Sequence, residues 1–408
     1  MKKYFFKMER YWNALRDFCV VVAGWIVLNL FYRALLEKDI WLICEKRTEA
    51  RDNGYHFYKY IREHHPGINA YYVITKGSAD LAKVTCLGKV IYADTFKHVL
   101  YYLAAVRSVA SQPYGAFPFG FGKKELKIVN KFCNPRQKTV YLRHGVQKDT
   151  LPHGILDYAT NNIDYIVCSA QREYEFVKRE YGYPDHAIGC LGLCRFDNLH
   201  TAIDKKEKMV LVMPTWRKWL ARQKKGVPLM AQEIEKFKSS DFYKQFAALM
   251  SDPRLLECLR KHGYKLYFYV HYQLQDFTEL FLEFANDAVI IADRFHYDVQ
   301  DLMMRTGIMV TDFSSVHFDV AYMNKPLIYF QFDKERFEDG HYEKGYYEFE
   351  EDGFGPCCYE AEDVCRNLEE MVAGDGLPAE LYRKRAEAFF NLRDNKNCQR
   401  TFEAVKNL

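Results

Sequence analysis

The sequence contains no CxxC pair. Its 12 cysteines are dispersed, with Cys190 and Cys194 separated by three residues and Cys357 next to Cys358. That spacing argues against a zinc framework. Scattered cysteines in a long chain serve as small core residues in a reducing compartment. There is no GxxxxGK[ST] loop and no GxGxxG after the first apolar strand, so neither a P-loop nor a dinucleotide fingerprint is present. No DxD occurs, so a divalent metal bridging a nucleotide diphosphate is not indicated, and no metal site or cofactor is expected. Nor is there a surplus of one charge. The 58 basic and 54 acidic residues leave a net +4, too balanced to imply nucleic acid as a partner. Internal repeats and low-complexity tracts are also missing.

What is present is a large apolar fraction, 49% hydrophobic and 16% aromatic residues over 408 positions. That is ample for two or three domains with substantial cores. The first segment is unusual. Lys2, Lys3, Lys7, Arg10 and Arg16 precede an uncharged run at residues 18–32. As a helix, those residues would reach about 22 Å, short of a hydrocarbon core of about 30 Å. No A-x-A-like cleavage site precedes Arg33, which argues against a signal peptide. Two readings remain: a basic, apolar helix on the anionic cytoplasmic leaflet, or a helix packed on the body of the protein.

From Asp39 onward, short apolar runs alternate with helical periodicity. Strands are expected at residues 40–44, 70–74, 89–92, 106–110 and 139–142, with helices at 53–63 and 96–103. A polar stretch at 201–208, including Asp204-Lys205-Lys206-Glu207-Lys208, reads as a boundary. The alternation restarts with strands at 209–213, 265–270, 288–291, 307–311 and 327–330. Helices fit at 243–251, 254–262, 297–305 and 315–323, and residues 361–408 are mostly helical. This is βαβ winding, which implies α/β architecture with two doubly wound, Rossmann-like parallel sheets. Two such domains leave a cleft, and ligands bind beyond the carboxyl ends of the strands. The expected division is 1–36 for the N-terminal helix, 37–200 for the first domain and 201–408 for the second.

Several polar clusters follow strands directly. Thr311-Asp312-Phe313-Ser314-Ser315 ends a strand and opens a helix. Ser314 or Ser315 would cap that helix, and its free N–H groups suit an anion. An ordinary Ser-capped helix reads the same way. Asp319 falls one turn later on the same face as Ser315. Arg143-His144-Gly145-Val146-Gln147-Lys148 places a histidine, the usual base near neutral pH, beside two cations. Pro214-Thr215-Trp216-Arg217-Lys218 offers a hydroxyl and positive charge after a strand, or simply a basic exposed loop. His271 ends another strand, and Arg195 lies in a polar cluster near the domain boundary.

Taken together, these pieces resemble the CDP-glycerol glycerophosphotransferase family of teichoic acid and capsule synthesis. The matching residues are His144-Gly145, Pro214-Thr215-Trp216-Arg217, Thr311 to Ser315 with Asp319, Asn324-Lys325-Pro326 through Asp333, and Gly345-Tyr346-Tyr347 through Pro356. Arg51-Asp52-Asn53-Gly54 also resembles the N-terminal domain of some members. Three motifs depart from the family's wording: Arg143-His144-Gly145-Val146-Gln147, Tyr269-Val270-His271-Tyr272 and Lys344-Gly345-Tyr346.

The resemblance implies a GT-B fold, with the N-terminal helix as a membrane-associating element on the cytoplasmic face. It implies transfer of glycerol phosphate from CDP-glycerol, or a related unit from CDP-ribitol, to a polyprenyl-linked glycan or polymer, with release of CMP. His144 would be the catalytic base and His271 a second catalytic histidine. Gly145, Val146, Gln147, Lys148, Arg195, Pro214, Thr215, Arg217, Ser314, Ser315 and Asp319 would bind the donor. A GT-B glycosyltransferase acting on a nucleotide sugar is the alternative. Homo-oligomerisation stays open.

Overall fold

A computed structural model describes residues 2–33, 35–120, 123–203, 205–222, 227–340 and 343–408, with backbone only for residues 2–11, 14, 32, 120, 123 and 340. The chain forms two units. Unit 1 comprises Met1–Val146, Pro152–Asn198 and Asp394–Leu408, and unit 2 comprises Gln147–Leu151 and Leu199–Arg393.

Unit 1 is built on seven strands: β1 (Trp41–Cys44), β2 (Ala70–Ile74), β3 (Val90–Tyr92), β4 (Arg107–Ala110), β5 (Lys138–Tyr141), β6 (Tyr165–Cys168) and β7 (Ile188–Cys190). They lie in the order β3-β2-β1-β4-β5-β6-β7. All pairs are parallel, with Trp41 in register with both Ala70 and Arg107. Alternate side chains leave the sheet on opposite faces. Leu42, Val73 and Ile91 pack with Val21, Val99, Leu103 and Leu126. Trp41, Ile43, Tyr72 and Ile74 pack with Phe57, Ile61 and Phe402. Both faces are covered, which is why these strands read as continuous apolar runs instead of alternating ones.

Unit 2 repeats the plan with β8 (Met209–Val212), β9 (Lys265–Tyr269), β10 (Val289–Ala292), β11 (Ile308–Thr311), β12 (Leu327–Phe330) and β13 (Cys357–Cys358), ordered β10-β9-β8-β11-β12-β13. Its core is rich in rings, among them Phe237, Phe246, Phe268, Phe281 and Phe330. In each unit the first strand is central and the winding reverses beside it. The switch points therefore fall between β1 and β4 and between β8 and β11, where doubly wound sheets open a crevice for ligands.

The expected strands are present to within a residue or two, but β6, β7 and β13 were not anticipated. β7 and β13, of three and two residues, lack the run length that marks a buried strand, whereas β6 is as long as β1. The division into domains also differs. The last helix, Asn397–Lys406, packs in unit 1, where Phe402 stacks on His65 with ring centroids 3.7 Å apart. The chain passes from unit 1 to unit 2 between Asn198 and Leu199, ahead of the polar stretch 201–208, in which Asp204 lies outside the described residues.

The N-terminal helix spans Lys2–Val27 and continues as a π-helical turn over Leu28–Tyr32. It is attached to unit 1 by a narrow stripe, with Asp17, Val21, Gly24 and Leu28 buried. A Cβ on Gly24 would lie 2.7 Å from Val99, so the helix approaches its neighbour Phe96–Ala104 closely. Trp12, Leu15, Phe18, Val22, Trp25 and Ile26 remain exposed. The buried face matches the reading of a helix packed on the body of the protein. The side chains of Lys2, Lys3, Lys7 and Arg10 lie outside the described residues. Among the described residues, no helix is long and apolar enough to cross a membrane.

Candidate functional site

In unit 1, three loops converge at the carboxyl ends of β1, β5 and β7. The helix Asn53–His64 begins just after Asp52, an extended residue in the position that normally caps a helix. Asp52 does not cap it. Glu45 accepts instead from the backbone N–H groups of Arg51, Asp52 and Tyr55 at 2.6, 2.9 and 3.2 Å. Ser111 Oγ, after β4, accepts from Gly54 N at 2.6 Å. The carboxylate of Asp52 is thereby left for other partners. Its Oδ2 lies 2.6 Å from His144 Nδ1, and its Oδ1 lies 2.7 Å from Arg195 Nη1.

His144 is presented by an unusual backbone. Arg143 adopts φ +70°, a left-handed conformation that costs a non-glycine residue energy and must be held by its surroundings. Two contacts hold it. Its carbonyl accepts from Asn53 Nδ2 at 2.9 Å, and its buried guanidinium pairs with buried Glu173 at 3.1 Å. Asn53 Oδ1 also accepts from Arg195 N at 2.9 Å. Arg195 in turn donates to the carbonyl of His144. The imidazole itself stays exposed, with 70% of the side chain accessible. Burial opposes charge on Asp52, but the Arg195 guanidinium and His144 hold its carboxyl below the usual range. Burial, and next the charge of Asp52, push Glu45 up to about 7.

In unit 2, the loops after β9, β8 and β11 form another contiguous edge. Asp312, fully buried, accepts from Thr215 N at 2.8 Å, Thr215 Oγ1 at 2.6 Å, Phe313 N at 2.6 Å and Arg217 Nη1 at 2.7 Å. Arg217 makes a two-pronged pair with Asp333, at 2.6 and 2.8 Å. Its guanidinium lies 5.2–5.5 Å from the ring centroids of Phe242, Phe313, Phe332 and Phe337. Arg217 therefore has no surface for a ligand, contrary to its expected place in the donor site. It braces the loop from below. Asp319 is likewise buried and presents no exposed carboxylate. Pro214 and Val146 are buried too, while Gly145, Gln147 and Thr215 are half-buried.

The helix start is also revised. Ser314 and Ser315 precede the helix, which runs only over His317–Tyr322 with Val316 at its N-cap. Ser314 Oγ accepts weakly from Val316 N at 3.5 Å. A helix this short carries little dipole, and both serines are half-buried. Lys148 is a buried cation of the same unit. It belongs to unit 2 through the segment Gln147–Leu151, lies 5.2 Å above the ring of Phe349 and is bonded to Asp149 at 2.6 Å. His317, two residues past Ser315, is fully buried among rings and accepts or donates to Tyr329 Oη at 2.9 Å. Burial and then the charge of Lys148 hold its pKa well down.

His271 follows β9 by two residues and stacks on Trp216, with centroids 6.4 Å apart. Its Nδ1 accepts from the backbone N–H of Gln273 at 3.2 Å. In a neutral imidazole this leaves the proton on Nε2, a hydrogen-bond donor. His144 has the opposite arrangement: Nδ1 donates to Asp52, which in the neutral ring leaves the lone pair on Nε2. The two expected catalytic histidines are thus set up as an acceptor in unit 1 and a donor in unit 2.

Sequence reasoning missed the roles of Glu45, Asp52 and Asp333. In the sequence Asp52 stands out only within the Arg51-Asp52-Asn53-Gly54 likeness, which attaches no role to it. Among the described residues, no group of three or more His, Cys, Asp or Glu residues is placed to hold a metal ion.

Comparison with known proteins gives a consistent picture. The profile of the CDP-Glycerol:Poly(glycerophosphate) glycerophosphotransferase family matches residues 26–407. The minor teichoic acid biosynthesis protein GgaB of Bacillus subtilis (strain 168) is 30% identical over 392 residues, covering 94% of this chain and 41% of that protein. The teichoic acid glycerol-phosphate primase of the same strain is 23% identical over 173 residues, covering 42% and 41%. The chain therefore reaches about two fifths of the length of these curated relatives. Among solved structures, the wall teichoic acid polymerase TagF superposes with a TM-score of 0.65 at 16% identity, covering 98% of both chains. The UDP complex of MnaA from S. aureus superposes at 0.54 and 12% identity, covering 91% and 96%. At these identities, the structural likeness concerns the fold: two Rossmann-like units of GT-B type.

Proposed function

The chain belongs to the CDP-glycerol:poly(glycerophosphate) glycerophosphotransferase family, and we propose that it transfers glycerol phosphate from CDP-glycerol to a lipid-linked teichoic acid or capsular acceptor, releasing CMP. The observation that carries this reading is the polarised His144 at the carboxyl edge of the unit 1 sheet, its Nδ1 bonded to Asp52 at 2.6 Å.

In the proposed reaction, unit 2 holds the donor. Ser314, Ser315 and Lys148 bind the diphosphate. His271 donates from Nε2 to a phosphate oxygen, stabilising the charge carried away by CMP. His144 Nε2 takes the proton of the acceptor hydroxyl as that oxygen attacks the distal phosphorus. Phosphoryl-type transfer depends mainly on positioning and charge stabilisation, which suits a site of hydroxyls, N–H groups and one cation. Gly145 and Gln147 carry the chain from the base to Lys148, and Thr215 is the half-buried hydroxyl beside the Ser314 loop.

The acceptor reading draws support from the surface of unit 1. The outward face of the N-terminal helix bears Trp12, Phe18, Trp25 and Ile26. A second helix, Lys123–Cys133, exposes Ile128 and Phe132 among Lys124, Lys127 and Lys131. Apolar side chains interleaved with cations suit the anionic surface of the cytoplasmic leaflet, where a polyprenyl-linked acceptor would be presented.

The test is CMP release from CDP-glycerol in the presence of a lipid-linked acceptor, with CDP-ribitol and UDP-sugars as alternative donors. His144→Ala should abolish release while CDP-glycerol still binds. Wild-type release from that variant would remove His144 as the base, and turnover of a UDP-sugar alone would favour a glycosyltransferase.

A further inference from the structure

We propose that Asp52 is the positioning residue of the reaction, holding the His144 ring with its basic nitrogen, Nε2, toward the acceptor hydroxyl. The inference rests on His144 being the base. The geometry carries it further because Asp52 forgoes its ordinary role. An aspartate immediately before a helix normally accepts from the first N–H groups of that helix. Here the first-turn N–H groups of Gly54 and Tyr55 go to Ser111 and Glu45, and Glu45 also accepts from Arg51 N and Asp52 N just ahead of the helix. Burying Glu45 next to Asp52 is unfavourable, and a simple cap would have needed only one acid.

Both oxygens of Asp52 are then assigned. Oδ2 takes the Nδ1–H of His144 and Oδ1 takes Arg195 Nη1. Arg195 also reaches the His144 carbonyl and is anchored through its own N–H to Asn53. Asp52, Arg195 and Asn53 therefore fix the imidazole at the ring nitrogen and the backbone at once. The charged groups facing Asp52 are His144, Arg195 and Glu45. Arg195 is engaged in these contacts with Asp52 and the His144 carbonyl, so we assign it to the same support instead of to the donor.

The proton balance is simple. The acceptor O–H proton passes to His144 Nε2, the new O–P bond forms, and the bond from phosphorus to CMP breaks with CMP keeping the electron pair. Nδ1–H stays on the ring throughout. The imidazolium charge that appears is offset by the Asp52 carboxylate, and the proton is then lost to solvent. Removing the carboxylate deprives the ring of its tautomeric preference and of that counter-charge.

The experiment compares wild type, His144→Ala, Asp52→Asn and Asp52→Glu by kcat, KM for CDP-glycerol and the pH profile of kcat, with thermal melting as a control for folding. Asp52→Asn should lower kcat by roughly 10²–10⁴-fold with little change in KM, and should move the acidic limb of the profile to lower pH. Asp52→Glu keeps the charge, so its limb should stay in the wild-type position with a smaller loss of kcat. A wild-type kcat and profile in Asp52→Asn would overturn the proposal. If Asp52→Asn does not fold, Asp52→Glu decides: a limb in place supports the proposal and a displaced limb overturns it. Wild-type turnover in His144→Ala would instead remove the base, a separate failure.

Discussion

Gly345 packs its α-carbon against the carbonyl of Lys148 so tightly that an added Cβ would lie far inside van der Waals contact of that oxygen. Next to this contact, Thr150 N donates to Glu343 O at 2.8 Å. Two motifs almost 200 positions apart in the sequence therefore meet as backbones, and the later one seats the segment that carries Lys148. Gly345→Ala should displace that segment, raising KM for CDP-glycerol more than it lowers kcat. Overpacking of this kind costs about 1–3 kcal/mol, so a modest fall in thermal stability should accompany it. Steady-state kinetics with a melting curve would show whether the two effects occur together.

Arg217 should behave as a structural residue and not as a ligand. Arg217→Ala leaves the buried Asp312 and the half-buried Asp333 without their cation, a loss of about 3–5 kcal/mol by the usual cost of breaking a buried pair. Arg217→Lys should rescue little of it, since one ammonium cannot reproduce the fork that serves both carboxylates. Denaturant unfolding would measure this. Weakened CDP-glycerol binding with undiminished stability would contradict the assignment.

His271 is expected to act through its Nε2 proton. His271→Ala should lower kcat strongly, while His271→Gln, which retains a donor at a similar reach, should recover part of the loss. CMP release at saturating CDP-glycerol is the measurement. Equal losses in the two variants would argue that the ring serves only to stack on Trp216.

Stability should fall on mild acidification because of His98. Burial holds its pKa down to about 4, against 6.5 for the exposed ring. In the fold its Nδ1 accepts from Asp94 N at 3.1 Å and its Nε2 bonds the Ala116 carbonyl at 3.0 Å. The unfolded chain takes up a proton below pH 6.5, whereas the folded chain resists it. The stabilising contribution is complete above 6.5 and is lost progressively as pH falls toward 4, by on the order of 3 kcal/mol in all. Chemical denaturation at pH 7 and pH 4.5, with His98→Gln alongside, isolates the effect: the variant should lose less on acidification.

Membrane contact is best tested by point changes, because truncation of residues 1–36 would also strip the buried stripe of Val21 and Leu28 from unit 1. Trp12→Glu with Trp25→Glu alters only exposed positions. Sedimentation with anionic vesicles should be lost while the melting temperature holds. Undiminished sedimentation would direct attention to Ile128 and Phe132.

The fold class was legible in the sequence because short apolar runs alternating with helical periodicity have one common packing solution, a parallel sheet covered on both faces. The positions of His144, His271 and Ser314-Ser315 just after strands were legible for the same reason, since the carboxyl edge of such a sheet is where loops gather. The sequence could not show which charges would be buried. Arg217 and Arg195 look like any loop cations until tertiary packing brings Asp312, Asp333 and Asp52 against them. Asp52 stands where an aspartate usually caps a helix, and local sequence cannot show Glu45 and Ser111 arriving at the N–H groups there. Only the folded chain decided which acid caps and which one holds the histidine, because that choice depends on side chains from β1, β5 and β7 that meet in space and are far apart in the chain.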